Sequence, residues 1–148
     1  MVKKIFYISY DFGFLSIHAH EIISNMLMSG VRVDLFMPAG VQPNLTISRN
    51  CVIHRIPVYF TNPLLKIIVF NILLVYSILF TITKNAMPDI IYARQNYSGI
   101  IPILLSRLFK IPYFSEINSI ILRSKSEKYT LKSKIKLIME RLSLKLAN

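Results

Sequence analysis

Two short apolar runs close on side chains that could do chemistry. Pro88-Asp89-Ile90-Ile91-Tyr92-Ala93-Arg94 ends on a guanidinium, and Ile111-Pro112-Tyr113-Phe114-Ser115-Glu116-Ile117-Asn118 ends on a carboxylate and a carboxamide. Arg94 suits a phosphate or carboxylate, which a planar guanidinium grips through two hydrogen bonds; a surface charge capping a loop is the plainer alternative. Glu116 suits a sugar hydroxyl or the loop itself, and a buried pair with Arg94 is its structural alternative. Asn118 can donate to and accept from a hydroxyl. His18 lies near the start of an expected helix, whose N-terminus attracts anions and favours neutral imidazole. A lone histidine is also commonly a plain helix-surface residue. His20 and His54 have no sequence neighbours that suggest a metal site or a triad. No Ser–His–Asp or Cys–His arrangement can be assembled by spacing, so no catalytic residue and no metal ligand is assigned.

The elements that must position these groups read as alternating strands and helices. Residues 88–94 and 111–118 have the near-continuous apolar character of parallel strands buried on both faces. Residues 96–110 between them suit a helix, which makes a strand–helix–strand unit. Upstream, residues 4–10 read as a strand, 17–29 as a helix with Ser16 as N-cap and Gly30 as stop, and 31–37 as a second strand. Ile22, Ile23, Met26, Leu27 and Ser29 are expected to face the sheet. A polar loop over 38–50 precedes a third strand at 51–59. Asn62-Pro63 has the signature of a helix start, with Asn as cap and Pro in the first helical position, and that helix runs to about Lys84. A final helix is expected over 129–148. The order predicts an α/β fold: a Rossmann-like, mostly parallel sheet with helices on both faces. Ligands of such sheets bind just beyond the carboxyl ends of the strands, where Arg94, Glu116 and Asn118 stand.

Composition bounds the partners. The chain has 148 residues, one domain's worth, and carries 18 Lys+Arg against 7 Asp+Glu for a net +11. It is 53% hydrophobic, with a mean hydropathy of +0.49. Basic and greasy together point to an anionic membrane surface. A nucleic-acid binder would more usually show its charge on a polar surface beside a reading motif, and none of the usual motifs is present; nucleic acid is the weakest of the readings. The single Cys51 can form no internal disulfide and fits a reducing cytosol. Residues 3–10 do not form a secretory signal, because Asp11 interrupts a short apolar run with no cleavage site after it. Asn44-Leu45-Thr46 matches a glycosylation acceptor, a triplet common by chance.

Residues 64–83 contain no charge except Lys66 and approach the length of about 20 residues that a membrane span needs. Three placements are open: buried against the sheet, dipping its outer face into lipid, or crossing. From Arg123 onward eight basic residues face two acidic ones, the pattern either of a membrane-surface helix or of a solvated charged face.

The order of these signals resembles the N-terminal domain of family-4 glycosyltransferases, the retaining GT-B enzymes, over nearly all of residues 1–148. Ile5-Phe6-Tyr7-Ile8-Ser9-Tyr10-Asp11-Phe12-Gly13 is similar to the family's first strand and glycine-rich loop. His18, Glu21 and Gly30-Val31-Arg32-Val33 resemble its first helix and the turn after it. Pro88 through Arg94, and Leu105 through Asn118, resemble two further family stretches. The resemblance implies substrate-binding roles for Gly13, His18, Arg94, Glu116 and Asn118. It also implies an acceptor-side domain for hexose transfer from a nucleotide-sugar to a lipid-linked or polysaccharide acceptor; with the basic, greasy composition, the expected location is peripheral, on the inner membrane face. No cofactor is implied beyond the nucleotide-sugar donor of a complete enzyme. There are departures. The first loop keeps only Gly13 of the usual paired glycines, followed by bulky Phe14 and Leu15, where close backbone approach to a phosphate needs bare backbone. Asn118 stands where many members have histidine, and it carries no proton charge near neutral pH. No E-x7-E motif of the family's donor-binding domain occurs in these residues. The expectation is therefore a truncated product, or a half that works with a separately encoded C-terminal domain, and is inactive alone. A membrane-anchored, non-catalytic interaction subunit is the alternative.

Overall fold

The chain is described by a computed structural model covering residues 1–10, 15, 17–42, 49–95 and 100–117. Gly13, Ser16, Asn44, Asn118 and the basic segment 123–148 lie outside the described residues. Five strands form one sheet: β1 (Lys4–Ser9), β2 (Arg32–Pro38), β3 (Cys51–Ile56), β4 (Ile90–Gln95) and β5 (Tyr113–Ile117). Their spatial order is β3-β2-β1-β4-β5 and every pairing is parallel. Three helices intervene: α1 (Ile17–Met28), α2 (Pro63–Lys84) and α3 (Ile100–Phe109). This is the expected Rossmann-like α/β architecture. The chain steps outward from β1 to β3, returns through α2 to the other side of β1, and steps outward again to β5. The reversal lies between β1 and β4.

Period-two alternation divides the core in two. Tyr7, Val33, Leu35 and Met37 point to one face, where Ala19 and Ile23 of α1 cover them. Ile22, Met26 and Leu27 pack at the margin, while Ser29, expected on that face, is exposed. Phe6, Ile8, Phe36, Ile91 and Ala93 point to the other face, beneath Phe70, Leu74 and Ile78 of α2 and Leu105 of α3.

The ends of the elements follow local chemistry. α1 stops in a Schellman motif: the Val31 amide donates to Met26 O at 3.0 Å, the Gly30 amide donates to Leu27 O, and Gly30 takes φ +77°. α3 ends the same way on a non-glycine, Lys110 (φ +54°), with the Ile111 amide donating to Ser106 O at 2.8 Å. Burial of Ile111 in the core holds that turn. Asn62 caps α2, its side-chain oxygen accepting from the Leu64 and Leu65 amides. β3 stops at Ile56, short of the expected residue 59, because Pro57 has no N–H for the ladder. Asp89 precedes β4 instead of opening it. Its Oδ2 accepts the Lys3 and Lys4 amides at 2.7 and 2.9 Å, tying the entry of β1 to β4.

Candidate functional site

Register carries three polar groups to one place. Tyr7 pairs with Tyr92, and Tyr92 with Phe114; two residues further along, Ser9 pairs with Arg94, and Arg94 with Glu116. Both rows share a sheet face, and the second lies at the carboxyl ends of β1, β4 and β5, beside the reversal of strand order. Ligands of open α/β sheets bind at this position.

The Tyr7 hydroxyl donates to Glu116 Oε2 at 3.3 Å. Arg94 Nε stands 3.9 Å from Glu116 Oε1, an ion-pair distance longer than a hydrogen bond, with both side chains close to nine-tenths buried. Glu116 Oε1 is itself buried and accepts no hydrogen bond. The Tyr7 and Tyr92 rings stack at 5.1 Å and floor the cluster. Burial first, then the Glu116 carboxylate and Tyr92, push the Tyr7 phenol far above its ordinary value, against the opposing charge of Arg94. Burial and Glu116 raise Tyr92 too. Both phenols therefore stay protonated, and that of Tyr7 serves as the donor to Glu116. Phe114, next in the row, is half exposed, so the β5 side of the face is open.

Of the residues singled out in the sequence, Arg94 and Glu116 come together as the pair given above as their structural alternative. His18 does not join them: it is exposed in the first turn of α1, with Nδ1 3.5 Å from Glu21 Oε2. Gly13 and Asn118 lie outside the described residues. The sequence does not single out Tyr7, which reads there as one more apolar strand residue. Its only signal is alternation, which puts Tyr7 and Ser9 on the same face of β1.

His54, without a partner among its sequence neighbours, does have a carboxylate partner in space. Its Nε2 lies 3.0 Å from Asp34 Oδ1, and Lys4 Nζ lies 3.2 Å from Asp34 Oδ2. This second cluster sits at the opposite end of the sheet, under the C-terminal end of α2, where Lys4 Nζ also donates to Ala86 O. Among the described residues, no group of three or more His, Cys, Asp and Glu side chains is placed to hold a metal ion.

The arrangement at the carboxyl ends offers a cation, a carboxylate acceptor and a phenol donor over an aromatic floor. It can bind a polyhydroxy or anionic ligand; it contains no activated nucleophile. No family model and no curated protein matches the chain. Solved structures do. The C-terminal domain of a hydrogenase from Pyrococcus furiosus matches with a TM-score of 0.55 and 10% identity, over 78% of this chain and 92% of that one. The glycotransferase of kitacinnamycin matches with a TM-score of 0.55 and 11% identity, over 97% of this chain and 36% of that one. This chain thus spans about a third of the glycotransferase's length. At such identities the likeness is one of fold: a Rossmann-like parallel sheet flanked by helices, of the kind found within a glycosyltransferase.

Proposed function

We propose that this chain is an acceptor-side domain for hexose transfer from a nucleotide-sugar to a lipid-linked or polysaccharide acceptor, located on the inner face of a membrane. The observation that carries the reading is the buried Arg94–Glu116–Tyr7 cluster at the strand-order reversal. The extent of the likeness to the glycotransferase, nearly the whole of this chain, supports the same reading. Glu116 would accept from an acceptor hydroxyl and Arg94 would hold an acceptor phosphate through its planar guanidinium. Transfer itself needs a donor-binding domain facing this cleft to exclude water around the reacting sugar.

The test is binding of a polyprenyl-diphosphate-linked saccharide and of polysaccharide fragments to the purified chain by calorimetry. Binding is expected to weaken roughly tenfold or more in Arg94→Leu and in the near-isosteric Glu116→Gln, with far-UV circular dichroism unchanged. Binding of neither acceptor class overturns the acceptor-side assignment. Transfer of labelled hexose by the 148-residue chain alone overturns the requirement for a second domain.

A second reading, a membrane-anchored interaction subunit without catalysis, draws on α2. Its stretch Leu64–Lys84 has a mean hydropathy of 2.3 and is long and apolar enough to cross a membrane. Retention in the membrane through carbonate extraction would favour it over a peripheral domain.

A further inference from the structure

We infer that α2 and α3 together form a flat docking surface for an anionic lipid bilayer, with both helices lying along the membrane plane. The inference rests on the peripheral membrane location proposed above and on nothing in the sugar-binding reading.

The two helices contribute to one core cluster on one face of the sheet, so their outer rows look away from the protein in the same direction. On α2 the inner row is Phe70, Leu74, Ile78 and Thr81, and all four are buried. The outer row is Leu65, Ile68, Ile72, Tyr76 and Leu79, all exposed, with Tyr76 at 69%. Spacing of three and four residues makes each row a continuous stripe. On α3, Leu105 joins the sheet-face core with Ile101 and Phe109 at its margin, while Leu104 and Leu108 are exposed, Leu108 at 71%. A helix of 22 residues lays an apolar track of roughly 33 Å on a flat surface. Such a continuous patch exceeds the scattered apolar exposure normal for a water-facing surface.

Charge identifies the occupant. Neither helix carries an acidic residue, and Lys66, Lys84, Arg107 and Lys110 flank the apolar rows. Lys84 Nζ lies 4.3 Å over the Phe80 ring, and Tyr59 and Phe60 are exposed just before the other end of α2. Aromatic and basic residues at the margins of an apolar stripe suit the headgroup layer of anionic lipid. Crossing the bilayer would pull Phe70, Leu74 and Ile78 from the core and separate Asn71 Oδ1 from the Tyr10 hydroxyl that donates to it at 3.0 Å. Lying flat keeps all of these contacts.

The chain has no tryptophan, so Tyr76→Trp supplies a single reporter. Its emission is expected to shift to the blue with vesicles of phosphatidylcholine plus phosphatidylglycerol, and not with phosphatidylcholine alone. The double variant Ile72→Glu/Leu108→Glu, both outward-facing, is expected to lower partition to the anionic vesicles at least roughly tenfold. Met28→Glu on α1, equally exposed on the opposite face, should leave it unchanged. Vesicle binding that survives the double variant but is lost on neutralising the basic residues after Arg123 overturns this surface while leaving a peripheral location standing. No vesicle binding at all overturns both. Retention after carbonate extraction overturns the flat placement in favour of a span. Loss of self-association in the double variant with vesicle binding intact assigns the surface to a second copy instead.

Discussion

The sheet carries a charged cluster at each end, and the two are built differently. At the amino end Asp34 is completely buried and closely surrounded, by His54 at 3.0 Å and Lys4 at 3.2 Å, with Arg32 Nε at 4.0 Å. His54 stacks on Phe36 at 4.5 Å, and Lys4 is held in turn by Ala86 O. Burial by itself would raise the Asp34 carboxyl, but the His54 and Lys4 contacts outweigh it and hold the group below the usual carboxylate range. At the carboxyl end the hydrogen-bond and ion-pair distances to Glu116 are longer, 3.3 and 3.9 Å. Each cluster leaves one buried carboxylate oxygen without a hydrogen bond, but Asp34 Oδ2 has the Lys4 ammonium at 3.2 Å where Glu116 Oε1 has Arg94 Nε at 3.9 Å. A closely paired cluster has little to offer a ligand and serves the fold. The cluster at the carboxyl end, with its longer Glu116 contacts, stands at the position where such sheets bind. Charged residues in a core thus do not mark a site by themselves; their place relative to the carboxyl ends of the strands has to be read as well.

That contrast breaks first on stability. Asp34→Ala strips a buried ammonium of its partner and should cost about 3 kcal/mol in urea unfolding. Glu116→Gln keeps a carbonyl oxygen for Tyr7 but removes the charge beside Arg94 and, at the longer distances there, should cost less, about 1–2 kcal/mol. Equal losses at the two ends would show that both clusters are structural.

The next effect is on acid stability. A carboxyl depressed in the folded state stays ionised while the unfolded chain, with Asp near its ordinary pKa of about 3.9, takes up a proton. Its stabilisation is therefore complete above that value and is lost as pH falls through the folded value. Unfolding midpoints should fall below about pH 4 in the parent and fall less steeply in Asp34→Asn. The exposed Asp89 is lowered as well, by the Lys3 and Lys4 amides, so part of the slope should remain.

The smallest effect sharpens the carboxyl end. Tyr7→Phe removes one long hydrogen bond and should cost only about 0.5–1.5 kcal/mol, while acceptor affinity falls because Glu116 loses its orienting donor. A cost near that of Asp34→Ala would mean that Tyr7 is a packing residue first.

Much of this architecture is legible in the sequence alone. The element order, the Asn62-Pro63 start of α2 and the Gly30 stop of α1 all follow from it, since caps and apolar runs act through neighbours along the chain. Arg94 and Glu116 fall at strand ends for the same reason. Tyr7 and the Asp34–His54 pair are not legible in that way. Tyr7 lies 109 positions from Glu116, and His54 lies 20 from Asp34; both pairs exist only because the ladders align in one register. A shift of one residue in a strand sends its side chains to the opposite face.

Among the described residues, the sequence by itself determined which segments become strands and helices, where most of them start and stop, and that basic charge accompanies a greasy α2. These follow from backbone preference, capping and hydropathy, which are local. Only the tertiary structure decided the strand order, the assembly of a charged cluster at each end of the sheet, and the outward alignment of α2 with α3. Those depend on contacts between residues far apart in the chain, whose free energy appears only once the sheet has closed around them.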